Sequence, residues 1–207
     1  MTKAMNILYE IGDTLYVNLT NRCPCSCTFC IRNEIDTVNG YDVLWLEREP
    51  TAGEVIEQLR QLDLSRYSEL VFCGYGEPME TFDVLKEVAR WVKENTALPV
   101  RINTNGQGSL INGRDIAPEL EGIVDAVSVS LNSPDADEYL ALTCSKFGSD
   151  AHPAMLEFAQ RAASYVPTVV LTTVGGTITH EQERACQGLC DELGASYRIR
   201  PRVRGDR

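Results

Sequence analysis

The feature that most constrains this chain is an alternation of two periodicities. Runs with the two-residue repeat of strands fall at Thr14–Thr20, Glu69–Cys73, Pro99–Thr104, Asp125–Asn132, Thr168–Val174 and Ser196–Val203. Between them lie runs with helical spacing. Thr51 and Glu54 form a capping box ahead of a Val55, Ile56, Leu59, Leu62 stripe, and Val84, Leu85, Val88 and Val92 form a second stripe. A short helical piece follows at Ile116–Leu120, then helical patterns at Pro134–Leu142, Pro153–Tyr165 and His180–Leu193. Strands alternating with helices of this length imply βαβ units, a parallel sheet and an α/β fold.

The faces of those strands narrow the choice. Leu15, Val17 and Leu19 oppose Tyr16, Asn18 and Thr20; Val100, Ile102 and Thr104 oppose Arg101, Asn103 and Asn105; Val127, Val129 and Leu131 oppose Ser128, Ser130 and Asn132. The last strand sets Tyr197, Ile199 and Val203 against Arg198, Arg200, Arg202 and Arg204. A doubly wound sheet buries both faces and reads as nearly continuous apolar runs. One-sided strands instead predict a partial (β/α)6 TIM-like barrel, open on one side, with helices outside and a polar cavity within. With 207 residues there is no room for eight units, and a single domain is expected.

Composition excludes several classes. The formal charge is −11, which argues against a chain that wraps nucleic acid or lies on an anionic membrane. The N-terminal residues carry no long apolar run, and no span of about 18 apolar residues occurs, so a cytoplasmic location is expected. Eight cysteines in that setting point to metal chemistry over disulfides.

Three of them, Cys23, Cys27 and Cys30, lie in Cys23-Pro-Cys-Ser-Cys-Thr-Phe-Cys30 within a loop at about residues 21–32. Three thiolates this close can wrap one face of an iron–sulfur cube. Such clusters usually take four cysteines, so three leave one iron open, as a reactive metal site needs. Structural zinc is the alternative for the same spacing; it would need a second ligand pair, and the chain has two histidines, His152 and His180. Cys25, inside the motif, would close the open position if it were a fourth ligand. The next strand ends in Gly74-Tyr-Gly-Glu-Pro78, where glycine lets backbone approach a ligand. Both motifs therefore sit at the C-terminal ends of adjacent predicted strands, where parallel α/β architectures bind ligands.

Together these motifs resemble the radical SAM superfamily, whose hallmark is C-x3-C-x-aromatic-C, here with Phe29 as the aromatic. The resemblance implies a [4Fe–4S] cluster on Cys23, Cys27 and Cys30. It also implies S-adenosylmethionine held by Gly74, Tyr75, Gly76 and Glu77, by Asn103 and Asn105, by Ser130 and Asn132, and by the backbone of Phe29. Tyr75 stands where that family usually has a glycine, and Gly175-Gly176 would shape the adenine pocket. The implied reaction is reductive cleavage of S-adenosylmethionine to methionine and a 5′-deoxyadenosyl radical, which abstracts hydrogen from an unidentified substrate. A reductant such as flavodoxin or ferredoxin would be a partner. The runs Leu15–Cys25, Leu44–Pro50, Cys73–Pro78 and Arg101–Gly106 look most similar to the small TatD-associated radical SAM proteins, which implies a TatD-type hydrolase as a second partner. Alternatives are a glycyl-radical-type activating enzyme and a non-enzymatic zinc or electron-transfer module.

Four residues are candidates for the substrate, a small molecule or peptide. Cys144 and Lys146 lie in a loop expected at the barrel mouth, where a thiol could return a hydrogen atom. Arg198 and Arg200, if inward, would clamp an anionic substrate; if outward, they would guard an open sheet edge. Cys186 and Cys190 share a helical face with Leu189 and Leu193 and read as core, as Cys73 reads as packing. Residues 33–50 form either a lid or packing over the cluster loop, and about 202–207 form a flexible basic tail.

Overall fold

A computed structural model describes residues 3–33 and 43–202. Seven strands form one sheet: β1 (Leu8–Ile11), β2 (Thr14–Val17), β3 (Glu69–Phe72), β4 (Val100–Thr104), β5 (Ala126–Ser130), β6 (Thr168–Val174) and β7 (Ser196–Arg200). Spatial order follows chain order, β1 to β7. From β2 onward all pairs are parallel, which gives the six expected parallel strands, and the sheet does not close. β1 is an addition. It pairs antiparallel with β2 through Gly12-Asp13, with Gly12 at φ 64° as a two-residue hairpin requires.

The crossovers are α1 (Ala52–Arg60), α2 (Phe82–Asn95), α3 (Gly108–Asn112), the pair α4 (Ala136–Thr143) and α5 (Ala151–Ala162), and α6 (His180–Leu193). The capping box forms as the sequence predicts: Glu54 N–H donates to Thr51 Oγ1 at 3.3 Å, and Thr51 N–H to Glu54 Oε2 at 2.9 Å. The piece at residues 116–120 is a 3₁₀ turn over Ala117–Leu120, not an α-helix, because four residues are too few to propagate one. The last strand stops at Arg200 with Pro201 behind it. Val203, Arg204 and most of the expected tail lie outside the described residues, as does the middle of the expected lid.

Register decides what each face does. The row Val17, Phe72, Ile102, Val127, Val169 is apolar and packs under the helices on Val55, Leu59, Leu85, Val88 and Phe158. A buried side chain of this size contributes about 1.5–3 kcal/mol, and this face supplies most of the core. Cys186 and Cys190 belong to it, fully buried, as expected. The neighbouring row Tyr16, Val71, Arg101, Ala126 faces inward, as do Asn103, Ser128 and Ser130 and, on β7, Arg198 and Arg200. Among the described residues, no helix is long and apolar enough to cross a membrane.

Candidate active site

The cysteine loop leaves the end of β2 and docks on the end of α4. Ser26 N–H donates to Thr143 O and Thr28 N–H to Leu142 O, both at 2.9 Å, and Lys146 N–H donates to Pro24 O at 2.8 Å. Leu142 and Thr143 are in the last helical turn, where carbonyls have no intrahelical partner, so the helix end provides a ready acceptor edge. At the loop's entry Arg22 grips Glu49 (Nε–Oε1 2.6 Å, Nη2–Oε2 3.0 Å) and reaches Glu80. Burial pushes the Glu49 carboxyl up, but hydrogen bonds from Arg22 and Thr20 outweigh it and hold the group below its ordinary value. At the exit Arg32 donates to Cys25 O at 3.0 Å and Tyr75 O at 3.4 Å, joining the cysteine loop to the glycine loop.

Cys23, Cys27 and Cys30 are half-buried; Cys25 is buried. The Cys25 sulfur accepts from Gln107 Nε2 at 3.3 Å and Asn105 Nδ2 at 3.8 Å. Gln107 is itself fully buried, bonded to Tyr139 OH at 2.8 Å and Ser145 Oγ at 2.8 Å. This amide cradle was not legible in the sequence, since nothing marks Gln107 as facing a cysteine 82 positions away. A hydrogen bond with Cys25, and then burial, raise the Cys23 thiol; burial raises Cys30. Metal binding must therefore displace protons here.

The glycine loop is shaped by its neighbour. A Cβ on Gly76 would stand 2.2 Å from Thr20 O and 2.7 Å from Arg22 O, and one on Gly74 would stand 2.1 Å from Asn18 Oδ1. These glycines let the glycine loop lie directly against the strand that leads into the cysteines. Glu77 is buried and accepts from Thr104 Oγ1 (2.7 Å), Asn105 N–H (2.8 Å) and Met79 N–H (3.2 Å). Burial dominates these bonds and raises its carboxyl to about 7. Glu77 thus buckles the ends of β3 and β4 together. Tyr75 is buried with Tyr9 and Leu44 and packs edge-on to Trp45 (centroids 5.2 Å). The described part of residues 33–50 packs: Asn21 bonds Leu46 through both its carbonyl and its amide nitrogen.

Both loops border a cavity of about 420 Å³ lined by Tyr16, Cys73, Gly74, Tyr75, Arg101, Asn103, Arg198 and Arg200 among others. A sequence profile of the Radical SAM superfamily matches residues 17–187. The chain belongs to the Radical SAM superfamily. Members of this superfamily are enzymes that use a [4Fe–4S] cluster and S-adenosylmethionine. Among curated relatives, the probable dual-specificity RNA methyltransferase RlmN of Staphylococcus epidermidis is 30% identical over 130 residues, which covers 58% of this chain and 33% of that protein. RlmN of Symbiobacterium thermophilum is 30% identical over 131 residues, covering 59% and 32%. The chain thus spans about a third of the length of these relatives. Among solved structures, Streptococcus suis SuiB bound to precursor peptide SuiA superposes with a TM-score of 0.69 at 17% identity, covering 95% of this chain and 40% of that one. A radical SAM methyltransferase from Sphaerobacter thermophilus gives 0.64 at 19% identity, covering 94% and 57%. At these identities the likeness shows the fold.

The donors present suit the radical SAM cofactors. Three half-buried thiols in one short loop, Cys23, Cys27 and Cys30, are the donor type an iron–sulfur cluster takes. On the cofactor side, Asn132, in left-handed backbone at φ 60°, holds a buried Oδ1 with no partner, an acceptor that suits a ligand's hydroxyl. Asn103 lines the cavity, Ser130 Oγ accepts from Arg200 at 3.4 Å, and Phe29 is half-buried in the cysteine loop.

Two candidates are not brought there. Cys144 caps α4 at φ 46°, exposed on the flank that supports the cysteine loop, and Lys146 reaches outward to Glu80 at 3.8 Å. Neither lines the cavity, because the α4 end turns its carbonyls, not its side chains, toward the loop. Cys73, read as packing, does line it. A larger depression of about 640 Å³ lies at the opposite ends of the strands, between Leu59, Tyr67, Trp91 and Leu98, far from both motifs.

Proposed function

We propose that Cys23, Cys27 and Cys30 hold a [4Fe–4S] cluster with one iron open, and that S-adenosylmethionine lies between that iron and the inner face of β3–β6. The observation that carries this reading is the packing of the glycine loop on Asn18, Thr20 and Arg22, the chain that enters the cysteine loop, with Gly74 and Tyr75 at the edge of one cavity. When bound, the pair supplies reductive cleavage of S-adenosylmethionine and, through it, hydrogen abstraction from a substrate. The chain's own residues orient and seal. The Gly74–Glu77 backbone receives the methionine head, Asn103 and Asn105 flank it, Ser130 and Asn132 receive the ribose hydroxyls, and Phe29 supplies backbone to the adenine. Cys25 is left out of the ligand set, because a fourth thiolate would close the open iron. Enzymes of this superfamily need a reductant such as flavodoxin; we take flavodoxin or ferredoxin as the donor here.

Within the superfamily we assign the chain to the TatD-associated group, on the residue runs given above, with a TatD-type hydrolase as partner, a cytoplasmic location and a single domain. RNA methyl transfer, suggested by the names of the RlmN relatives, is less well supported, because a formal charge of −11 opposes a polyanionic partner. Iron and acid-labile sulfide content after anaerobic reconstitution tests the ligand set. We expect about four of each per chain in wild type and in Cys25→Ser, and near-total loss in Cys27→Ala. Stoichiometric zinc, or loss in Cys25→Ser alone, would contradict it.

A further inference from the structure

The cavity has a charge its protein does not. The chain carries a formal charge of −11, yet no carboxylate lines this cavity among the described residues. Three arginines do. Arg101 is neutralised by a two-point contact with Glu69 (Nε–Oε2 2.9 Å, Nη2–Oε1 2.7 Å). Arg198 and Arg200 are not: among the described residues neither forms an ion pair, and the one side-chain hydrogen bond of Arg200 is its 3.4 Å approach to Ser130. Its Nε is buried without a partner, and burial holds the guanidinium below the usual arginine range. A desolvated cation is costly unless an anion joins it, and the planar guanidinium suits a carboxylate or phosphate. Opposite the arginines the wall is apolar and aromatic: Ile11, Ile31, Leu44 and Tyr16, with Tyr16 stacked on Tyr9 at 5.0 Å between centroids.

Resting on the function proposed above, we infer that the substrate is a small amphiphilic anion. Its carboxylate or phosphate lies between Arg198 and Arg200, and its compact apolar or aromatic body lies against the Tyr16 wall. S-adenosylmethionine takes the Gly74, Tyr75 and Asn103 side of this cavity of about 420 Å³, so the part at Arg198, Arg200 and Tyr16 admits only a compact molecule and no folded partner. A carboxylate at Arg200 could belong to S-adenosylmethionine instead, so the test separates the two sources.

Reconstituted enzyme saturated with S-adenosylmethionine is titrated with phenyl phosphate, inorganic phosphate and benzylammonium, reading the thermal midpoint and the change in the cluster's electron paramagnetic resonance signal. We expect phenyl phosphate to bind at least about tenfold more tightly than either other probe, and to lose about tenfold or more in Arg198→Met and in Arg200→Met. Both variants should still give the signal change caused by S-adenosylmethionine, with thermal midpoints at or above wild type. The inference is overturned if phenyl phosphate binds the variants as it binds wild type, or if benzylammonium or inorganic phosphate matches it. It is also overturned if Arg200→Met loses the response to S-adenosylmethionine while keeping phenyl phosphate, which would give Arg200 to the cofactor. A wild-type protein that takes up no cluster, or ignores S-adenosylmethionine, refutes the function proposed above; one that responds to S-adenosylmethionine and ignores phenyl phosphate refutes this inference.

Discussion

The two sides of the open barrel are built on opposite plans. Around β2 and β3 the cysteine loop is tied to α4 by backbone, to Glu49 through Arg22, to the glycine loop through Arg32, and to Gln107 through Cys25, while Asn18 Oδ1 and Trp45 Nε1 stay buried without a partner. Around β5 and β7, Asn132 Oδ1 and Arg200 Nε are buried without partners, and Arg198 is exposed and forms no ion pair among the described residues. A site that must hold a metal cluster in one geometry gains from preorganised supports, whereas a site that exchanges ligands keeps its polar groups for them. The comparison teaches that the two sides serve different ends: the cysteine loop is fixed in place by its bonds, whereas the arginines of β7 are left at the cavity for a ligand.

The sharpest break is at the glycines. Gly76→Ala should cost about 3 kcal/mol or more, because the new Cβ meets backbone carbonyls of the entering strand that cannot swing aside. Gly175→Ala, where the nearest atoms are 3.5 Å away, should stay within about 0.5 kcal/mol. Chemical denaturation of the cluster-free proteins checks both.

Next is Glu77. Its carboxyl is raised from 4.5 to about 7 by burial, so between those values the folded chain keeps a proton that the unfolded chain has lost. Its contribution is therefore complete below pH about 4.5, declines as pH rises, and is gone above about 7. Relative to Glu77→Gln, wild type should lose about 3 kcal/mol across that window, read from denaturation midpoints against pH.

Much of this was legible in the chain, for identifiable reasons. The six parallel strands showed because a polar inner face and an apolar outer face leave a two-residue repeat, as in Arg101, Asn103 and Asn105 against Val100, Ile102 and Thr104. The cysteine and glycine motifs showed because their ligands are close in sequence. β1 was missed although Gly12-Asp13 between Ile11 and Thr14 is a hairpin signal, because the run before it is only four residues. Gln107 and Tyr139 were missed because their contact with Cys25 is made by folding alone. Cys144 and Lys146 lie off this cavity, because sequence gives the position of a loop and not which way its side chains turn.

Smaller effects test the two sides at the surface. Arg22→Ala should cost about 1 kcal/mol and lose most of that difference at 1 M salt, since the Arg22–Glu49 pair is well aligned but partly exposed. Arg198→Met should change stability least, by about 0.5 kcal/mol or less, because Arg198 forms no ion pair among the described residues.

The central claim is that three cysteines leave one iron for S-adenosylmethionine. Electron paramagnetic resonance of the dithionite-reduced, reconstituted protein, with and without S-adenosylmethionine, tests it directly when paired with a 5′-deoxyadenosine assay. The account predicts a [4Fe–4S] signal that changes on adding S-adenosylmethionine, with 5′-deoxyadenosine formed by wild type and Cys25→Ser and absent in Cys27→Ala. A signal indifferent to S-adenosylmethionine, with no 5′-deoxyadenosine and a cluster that requires Cys25, would contradict it.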